Sequence, residues 1–510
     1  MVPARDLVPA LVLSIGLCST ALGCGGGGGG SAPAQAVAAS TTGTNTGNGA
    51  TSGSGTVGPV PLQPPAGTWL KGDFHVHSTW SGDALKLGDD VGTVIKCAER
   101  AGLDFTTISD HRTVDVLTDP KFLNAQTRLV LIPGEEWGGP GHAGAHGLTR
   151  APLYLTQDET GGPAAATQRI QATIDDIHTM GGIFVLNHAI DDKNGWNWPV
   201  DRFDGLEVFN QPWAFRNTPD IVPADIQAWA TSHGMVGQGT PQPPPEVFAA
   251  LQRTGGGLNW QRVALYEAYL SSGHHISAMG GSDSHFLVLP GNPTTLVLAE
   301  TPTMAGILDG VRRGRTMVAR AADAPRLEFA ADRDGDGVFE TIIGDSIPLG
   351  MAVTFKIHLV GADGGKIDLV RNGQVVQHWA VTSNDFEVRF TDTPTAKTWY
   401  RVNSFEKIDM SVPYASVLRA LVVGTSTLPG WINSLFSASF AGHVQDIIDQ
   451  GGPAGVWLLV FGSRMGCTST PVATRYPRLE FPKSVSQILN ACVHDPDYCP
   501  AVLTSAIWVE

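Results

Sequence analysis

The sequence predicts an α/β protein, a distorted β/α barrel followed by a small antiparallel β-domain. Between residues 69 and 320, short apolar runs alternate with stretches of helical periodicity, and polar clusters follow several runs. After residue 320, the runs alternate apolar and polar residues, as half-buried antiparallel strands do. Because a β/α barrel gathers its chemistry at the carboxyl ends of its strands, we expect the polar clusters to meet there.

Helices and strands alternate in the predicted barrel, residues 68–320. Apolar residues at helical spacing predict helices over Val91–Ala98, Ile170–Ile177 and Met304–Val311, each followed by glycine. Short apolar runs predict strands that each deliver a polar pair. These are Leu103–Ile108 before Asp110 and His111, Arg128–Ile132 before Glu135 and Glu136, Ile183–Leu186 before Asn187 and His188, and Ser277–Gly281 before Asp283 and His285.

The predicted β-domain, similar to a β-sandwich, covers residues 321–424. Its strand candidates are Arg326–Phe329, Val353–Val360, Lys366–Val370, Gln374–Trp379 and Phe386–Phe390. Asn372-Gly373 predicts a hairpin turn between two of them. Residues 425–500 are broken by proline and glycine and predict an irregular, partly helical insertion. Residues 501–510 predict a terminal strand that returns to one of the two domains.

The N-terminal residues predict export. Residues 1–24 have the apolar run of a signal peptide, and Gly23 before Cys24 resembles a lipoprotein cleavage site. Lipidation of Cys24 and ordinary signal cleavage remain alternatives. Residues 25–67 are rich in glycine, serine and threonine and predict a disordered linker. We therefore expect a periplasmic protein, an outer-membrane lipoprotein or a cell-surface protein, which touches the membrane only through a lipid on Cys24.

Net charge and cysteine content bear on three further questions: nucleic acid as a partner, structural zinc and disulfide bonds. The net charge of −15 argues against nucleic acid as a partner, because phosphate binding needs concentrated positive charge. Cys-x-x-Cys is absent, which disfavours structural zinc bound by thiolates. In an exported protein, Cys492 and Cys499 are candidates for a disulfide, with Cys467 as a competing partner, and the sequence does not decide the pairing.

The polar clusters have the composition of a multi-metal site. His75 and His77 point to the same side of a strand, so both can reach one metal, and Asp73 and Asp83 lie nearby in the sequence. Further imidazoles and carboxylates complete the set, namely His111, Glu136, His142, His188, Asp283 and His285. Two or three metals held this way would activate water and stabilise a developing oxyanion.

Other residues compete with this set. His146 follows His142 by four positions and is an alternative ligand, and Glu135 competes with Glu136. Adjacent side chains in an extended segment cannot both face one site. The pair His274-His275 is expected in a loop or at the surface. His178 is expected on a solvated helix face.

These motifs resemble those of the PHP (polymerase and histidinol phosphatase) superfamily. The resemblance covers residues 69–320 and rests on Asp73-Phe-His-Val-His-Ser, Ser109-Asp-His, Ile132-Pro-Gly-Glu-Glu, Asn187-His and Gly281-Ser-Asp-Ser-His. The segment Gly134-Glu-Glu-Trp-Gly-Gly-Pro-Gly-His, with Gly205-Leu-Glu-Val-Phe-Asn, is similar to the carbaryl-hydrolase-like CehA/McbA branch.

The resemblance implies a trinuclear centre of zinc, iron or manganese. Carried over position by position, its ligands would be His75, His77, Asp83, His111, Glu136, His142, His188, Asp283 and His285. Asp83 comes one residue later than in the common pattern, and Arg112 stands where a small or amide residue often follows Asp-His.

The resulting hypothesis is a metal-dependent hydrolase of a small-molecule ester. A phosphoester and a carboxyl ester or carbamate are alternative substrates, and Asp283, His188 or Asp110 would shuttle protons. The cluster of Arg312, Arg313 and Arg315 could bind phosphate, but capping of a helix end is preferred. The rival hypothesis is a non-catalytic, metal-stabilised surface binding module.

A second acidic cluster lies in the β-domain. Asp332, Asp334 and Asp336 alternate as in a calcium loop, which makes calcium a candidate. Ile343 occupies the twelfth position, where an EF-hand has glutamate, so a solvated turn is the alternative.

Overall fold

The computed structural model describes most of the chain after residue 65. The described ranges are 66–81, 89–139, 141–156, 160–191, 195–196, 198–210, 245–253, 257–285, 289–411 and 497–510, with a few positions between 464 and 487. The signal peptide, Cys24, most of the linker, Asp83, Cys467, Cys492 and most of the 425–500 insertion lie outside them. Within these ranges, no helix is both long and apolar enough to cross a membrane.

Three of the six described α-helices cover the predicted apolar stripes, namely Val91–Ala98, Ile170–Ile177 and Met304–Val311. The bounds of the six are Val91–Arg100 (α1), Pro120–Leu123 (α2), Pro163–Thr179 (α3), Pro245–Leu251 (α4), Leu258–Ser271 (α5) and Met304–Arg312 (α6), with a 3₁₀ turn at Asp115–Leu117. Capping fixes where two of them begin. The Asp90 side chain accepts a hydrogen bond from the Thr93 amide, and Thr303 accepts one from the Gly306 amide. Each cap satisfies a helical N–H that would otherwise lack a partner.

Nine strands carry the polar clusters. They are Thr68–Asp73 (β1), Phe105–Ile108 (β2), Val130–Gly138 (β3), His142–His146 (β4), Ile183–Leu186 (β5), Gly205–Asn210 (β6), Ser277–Gly281 (β7), Thr294–Ala299 (β8) and Thr316–Ala319 (β9). Their order in the sheet is β9-β8-β1-β2-β3-β4-β5-β6-β7. Strands β1 to β3 and β5 to β7 pair in parallel, whereas β4, β8 and β9 pair antiparallel to their neighbours.

The α/β class is confirmed, but the described strands form no closed barrel. Just beyond the ends of β1 and β7, the backbone pairing is an isolated bridge between Val76 and Ser284 and not a ladder. Toward β8, the Thr295 hydroxyl bonds the backbone of Gly280, 2.9 Å from its nitrogen and 2.7 Å from its oxygen. Between β7 and β8, side-chain hydrogen bonds therefore replace the backbone hydrogen bonds that would join neighbouring strands of a closed barrel.

Strand β3 is longer than the sequence predicts. It was expected to end at Ile132 but continues through Gly138, because residues 134–138 pair with the unpredicted strand β4. Glu136 and His142 consequently belong to a hairpin in the sheet and not to loops beyond it.

The described strands of the C-terminal half belong to three sheets, one of which is a separate pair of two-residue strands. Its strands are Arg326–Asp332 (β10), Thr341–Ile342 (β11), Ser346–Ile347 (β12), Val353–Val360 (β13), Lys366–Arg371 (β14), Gln374–Ala380 (β15), Asp385–Asp392 (β16), Thr398–Lys407 (β17), Arg464–Met465 (β18), Leu479–Glu480 (β19), Tyr498–Thr504 (β20) and Ile507–Val509 (β21). One sheet has the order β11-β10-β13-β16, and strands β14, β15, β17, β20, β21 and β12 extend the large sheet beyond β9. Phe329 and Phe355 share a buried core with Leu369 and Val402 of the second sheet.

The structure tests two local predictions, the hairpin turn at Asn372-Gly373 and the strand at the C-terminal end. Asn372 and Gly373 have φ values of 48° and 77° and join β14 to β15, as the hairpin prediction requires. Strand β20 pairs with both β17 and β9, so the terminal segment joins the two regions.

The expected Cys492–Cys499 disulfide is wrong. Cys499 is a buried thiol, and its Sγ lies 3.8 Å from Glu406 Oε2. Cys97 is disulfide-bonded. The reason lies in the fold: β20 turns the Cys499 side chain into a buried polar cluster beside β17.

Candidate metal centre

Glu136 lies at the centre of the site and is fully buried. His75 Nε2, His142 Nδ1 and His188 Nε2 lie 3.1, 3.0 and 2.9 Å from its Oε1 atom. His111 Nδ1 lies 2.9 Å from its Oε2 atom. One carboxylate is therefore surrounded by imidazoles from four separate parts of the chain.

Asp283 forms the second carboxylate of the site. Its Oδ1 atom lies 3.4 Å from His75 Nε2, 3.2 Å from His77 Nε2 and 3.5 Å from His285 Nδ1. The His285 ring stacks on His77 with 3.9 Å between centroids.

Eight of the nine predicted metal ligands thus converge, and Asp83 lies outside the described residues. Donor atoms within 4.8 Å of one another form three overlapping groups: His77, His111 and His285; His75, His77, Glu136 and Asp283; and His111, Glu136 and His142. Because the groups share His77, His111 and Glu136, the site is suited to several cations and not only to one.

Hydrogen bonds fix the tautomer of His75. Its Nδ1 lies 3.0 Å from Glu207 Oε1, and Glu207 Oε2 accepts from the His188 amide and from Asn210 Nδ2 at 2.8 and 3.0 Å. A carboxylate can only accept, so Nδ1 carries the proton. When the ring is neutral, as a metal ligand must be, the lone pair of Nε2 therefore points toward Glu136 and Asp283.

The same logic applies to His77. Ser81 Oγ donates to Asp110 Oδ1 at 2.7 Å, because that carboxylate can only accept. The hydroxyl oxygen is then left to accept from the His111 amide at 3.1 Å and from His77 Nδ1 at 2.8 Å. Nε2 of His77 therefore also presents a lone pair to the site.

These lone pairs face each other at metal-ligand spacing. His75 Nε2 and His77 Nε2 are 3.1 Å apart, with the carboxylate oxygens of Glu136 and Asp283 at 3.1–3.4 Å. Tetrahedral ligands at about 2.1 Å from a zinc ion are about 3.4 Å apart. Electron-rich atoms so close together repel unless a cation lies between them, so the residues fit divalent metals.

The pKa values of Glu136, His75 and His77 are shifted by burial and by the charges of the neighbouring carboxylates and imidazoles. Burial raises the pKa of Glu136, but the surrounding histidines, His142 first, hold it well below its ordinary value. Burial lowers the pKa of His75, but Glu136, Asp283 and Glu207 raise it well above that of a free imidazole. Burial, followed by His285 and His111, lowers the pKa of His77.

The backbone around the site is unusual. Arg112, His188 and Asp283 have φ values of 51°, 28° and 49°, in the left-handed region that L-residues seldom adopt. Such conformations persist only where the surrounding structure enforces them, and they cluster at functional sites.

Several predicted or competing residues lie elsewhere. Asp110 accepts hydrogen bonds from Ser78 and Ser81 on both oxygens and reaches the centre only through Ser81. Asp73 accepts from the backbone of His75, Ser282 and Gly291, which ties β1 to β7.

The competing histidines do not join the three donor groups. His146 packs on Phe74 with 5.2 Å between ring centroids, and burial lowers its pKa to about 3. His178 pairs with Asp204 at 2.8 Å, so its helix face is less solvated than expected. His274 and His275 pair with Asp201 and Glu510, at 3.6 and 3.5 Å.

Sequence reasoning did not assign roles to Glu207, Asn210 and Ser81. Asn210 Nδ2 contacts both Glu207 and Asp283, at 3.0 and 3.4 Å. The available signal was a single acidic residue in the otherwise apolar run Gly205–Phe209, since a buried strand rarely holds an unpaired carboxylate. Gly281 makes room for it, because a Cβ there would collide with the Glu207 carboxylate.

The arginine cluster, the alternative phosphate site of the sequence analysis, makes its contacts away from the metal centre. Arg312 donates hydrogen bonds to the carbonyl oxygens of Gly181 and Gly182, and Arg313 forms ion pairs with Glu300 and Asp309.

The acidic loop of the β-domain is a set of tight turns. Asp332 accepts from the amides of Gly335 and Gly337 at 2.7 and 2.9 Å, and Asp334 and Asp336 are exposed. Oxygens of the three aspartates lie within 4.8 Å of one another, as calcium would need.

Comparison with known proteins gives structural resemblances only. No protein-family model matches the chain, and no curated protein matches it. A two-domain protein from Bacteroides vulgatus containing a predicted PHP-like metal-dependent phosphoesterase is similar, with TM-score 0.32, 17% identity and coverage of 68% of this chain and 95% of its own. PsfC from Pseudomonas syringae gives TM-score 0.28, 16% identity and coverage of 50% and 93%.

A third similar structure is a proposed metal-dependent phosphoesterase from Bifidobacterium adolescentis. Its TM-score is 0.23 at 16% identity, with coverage of 44% of this chain and 89% of its own. With TM-scores of this size, the functional proposal depends on the side chains of the centre.

Proposed function

We propose that this chain is a metal-dependent hydrolase of ester bonds with a PHP-type multinuclear centre. The observation that carries the proposal is the set of lone pairs and carboxylate oxygens that face one another at 3.1–3.4 Å around Glu136. Mixed imidazole and carboxylate donors suit zinc, iron or manganese. We further propose three cations, a barrel of the PHP type and membership of the CehA/McbA branch.

Each residue has a proposed task. Bound cations would lower the pKa of a water molecule and polarise the ester. His75, His77, His111, His142, His188 and His285 would hold them through ring nitrogens, together with the carboxylates of Glu136, Asp283 and Asp83. The Asp283 side chain is 13% exposed, so it can reach a bound substrate.

Proton transfer is assigned to Asp283 and His188. His188 Nε2 contacts Glu136, and its Nδ1 lies 3.7 Å from Asp191 Oδ2, which gives the ring a second carboxylate. Asp110, the third candidate, has both oxygens occupied by serine groups, so we assign it to positioning of Ser81 and His77.

The substrate is proposed to be a small-molecule ester, either a phosphoester or a carboxyl ester or carbamate. The net charge of −15 supports the exclusion of nucleic acid as a partner. Export through residues 1–24, a lipid on Cys24 as the sole membrane contact, and calcium at Asp332, Asp334 and Asp336 remain proposals from the sequence.

Metal analysis combined with a substrate panel tests the proposal. The purified full-length protein is assayed against p-nitrophenyl phosphate, bis-p-nitrophenyl phosphate, p-nitrophenyl acetate and a carbamate, and its metals are measured by mass spectrometry. We expect bound zinc, iron or manganese and turnover of at least one ester. His75→Ala and Asp283→Ala should both lose metal and at least about 100-fold in kcat/KM.

Two outcomes would contradict the proposal. If both variants bind as much metal and hydrolyse as well as wild type, the site assignment is wrong. If the metal-loaded protein turns over no ester in the panel, the non-catalytic, metal-stabilised binding module becomes the better account.

A further inference from the structure

Arg112 follows a predicted metal ligand and is held in a strained backbone conformation. Its φ of 51° is left-handed, and its amide donates to the Glu136 carbonyl oxygen at 3.0 Å. Its amide is thus tied to strand β3 at Glu136, and the neighbouring His111 forms an isolated bridge to the same residue. This fixes where its side chain begins relative to the metal centre.

The guanidinium of Arg112 lies beside the centre. A Cβ added to Gly139 would have His142 Nε2 at 3.7 Å and Arg112 Nη1 at 3.9 Å as its neighbours. One point above Gly139 is therefore within 4 Å of both a proposed ligand nitrogen and the cationic side chain. Arg112 is exposed, so a molecule entering from solvent can reach it.

Arg112 differs from Arg313 and Arg315 in having no acidic partner among the described residues. No ion pair or side-chain hydrogen bond of its guanidinium occurs within the described part of the chain. Arg313 and Arg315, by contrast, pair with Glu300 and Asp345. A guanidinium presents N–H groups in a planar fork that matches a phosphoryl or carboxylate anion.

Resting on the proposed function, we propose that Arg112 binds a negatively charged group of the substrate next to the scissile bond. The site then favours anionic esters, with a phosphomonoester as the representative, over neutral esters and carbamates. His142 and the metals would hold one side of the anion, and the guanidinium of Arg112 the other. The residue is a substrate-binding group and holds no metal.

The test compares the metal-loaded full-length protein with Arg112→Gln and Arg112→Lys. Binding of inorganic phosphate is measured by titration calorimetry, and kinetics are measured with p-nitrophenyl phosphate and p-nitrophenyl acetate. We expect Arg112→Gln to weaken phosphate binding and raise KM for the phosphomonoester by about 10–100-fold. Arg112→Lys should recover part of this, because it keeps the charge but not the planar fork.

Three controls separate substrate binding from a structural role. Metal content and kcat/KM for the neutral acetate should stay within about twofold of wild type in Arg112→Gln. Arg313→Gln, which removes an exposed arginine paired with Glu300, should leave phosphate binding unchanged.

Phosphate binding equal to wild type in Arg112→Gln overturns the inference, as does a wild-type protein that binds no phosphate. An equal fall for phosphate and acetate together with lost metal also overturns it, because Arg112 would then act on the centre itself. If no ester is hydrolysed, the proposed function fails, but the calorimetric comparison still decides the role of Arg112.

Discussion

The two faces of strand β3 place neighbouring glutamates in opposite electrical surroundings. Glu136 is fully buried among four histidines, and their charge outweighs burial and holds its pKa well below the ordinary value. Glu135 is equally buried, but neither of its oxygens has a hydrogen-bond partner among the described residues, and burial alone raises its pKa to about 9. The same side chain is therefore an ionised carboxylate on one face and a neutral acid on the other.

The comparison shows that burial alone does not make a metal ligand. Both carboxyls are removed from water, which by itself disfavours the charged form. Only the face that points toward His75, His111, His142 and His188 supplies positive charge or cations in compensation. Alternation of side chains along the strand assigns one glutamate to each environment.

Glu136→Gln should have the largest effect. An amide binds a divalent cation more weakly than a carboxylate does and supplies no negative charge, so we expect metal content to collapse and kcat/KM to fall by more than about 100-fold. Metal analysis and steady-state kinetics measure both. The matched Glu135→Gln variant should keep its metal and activity. Equal metal loss in both variants would refute the distinction between the two faces.

Glu207→Gln should have an intermediate effect. Its Oε1 accepts from His75 Nδ1, so the amide can present its NH₂ group to the ring and favour the wrong tautomer. Loss of such a partner typically lowers metal affinity or activity about 10–100-fold. Metal affinity is measured by competition with a chelator. If chelator competition does not distinguish the variant from wild type, Glu207 does not orient His75.

Glu135→Gln should change the free energy of unfolding and its dependence on pH, but not metal content or activity. Its pKa is about 9 in the folded chain against an ordinary value of 4.5, so the folded chain keeps a proton that the unfolded chain releases. Stability should therefore fall as pH rises between these values, by up to about 1.4 kcal/mol per pH unit.

Glu135→Gln removes that titration, so its stability should depend less on pH. Urea unfolding near pH 6 and pH 8, at constant metal content, gives both free energies of unfolding. Parallel pH profiles for the variant and wild type would show that Glu135 is not a buried neutral acid.

Much of this protein could be predicted from local pattern. The periodicity of Val91, Val94, Ile95 and Ala98 predicted α1, and Asn372-Gly373 predicted the β14–β15 hairpin, because these features depend on neighbours in the chain. The alternation His75-Val-His77 put both imidazoles on one side of the chain, since the side-chain period of an extended strand is two.

Other features needed contacts between distant parts of the chain. The sequence could not show that β3 continues to Gly138, because that depends on hydrogen bonds to β4. Cys499 was expected in a disulfide on grounds of sequence proximity, but β20 directs it toward Glu406.

The sequence by itself determined which donor types this protein has and which of them share a strand face. Only the tertiary structure decided which donors meet and which nitrogen of each imidazole points inward. Those decisions come from Glu207, Ser81 and Asp110, which lie from 4 to 132 residues away from the histidines they orient. A hydrogen bond between residues as far apart as His75 and Glu207 exists only once the strands are in register, so no local pattern encodes it.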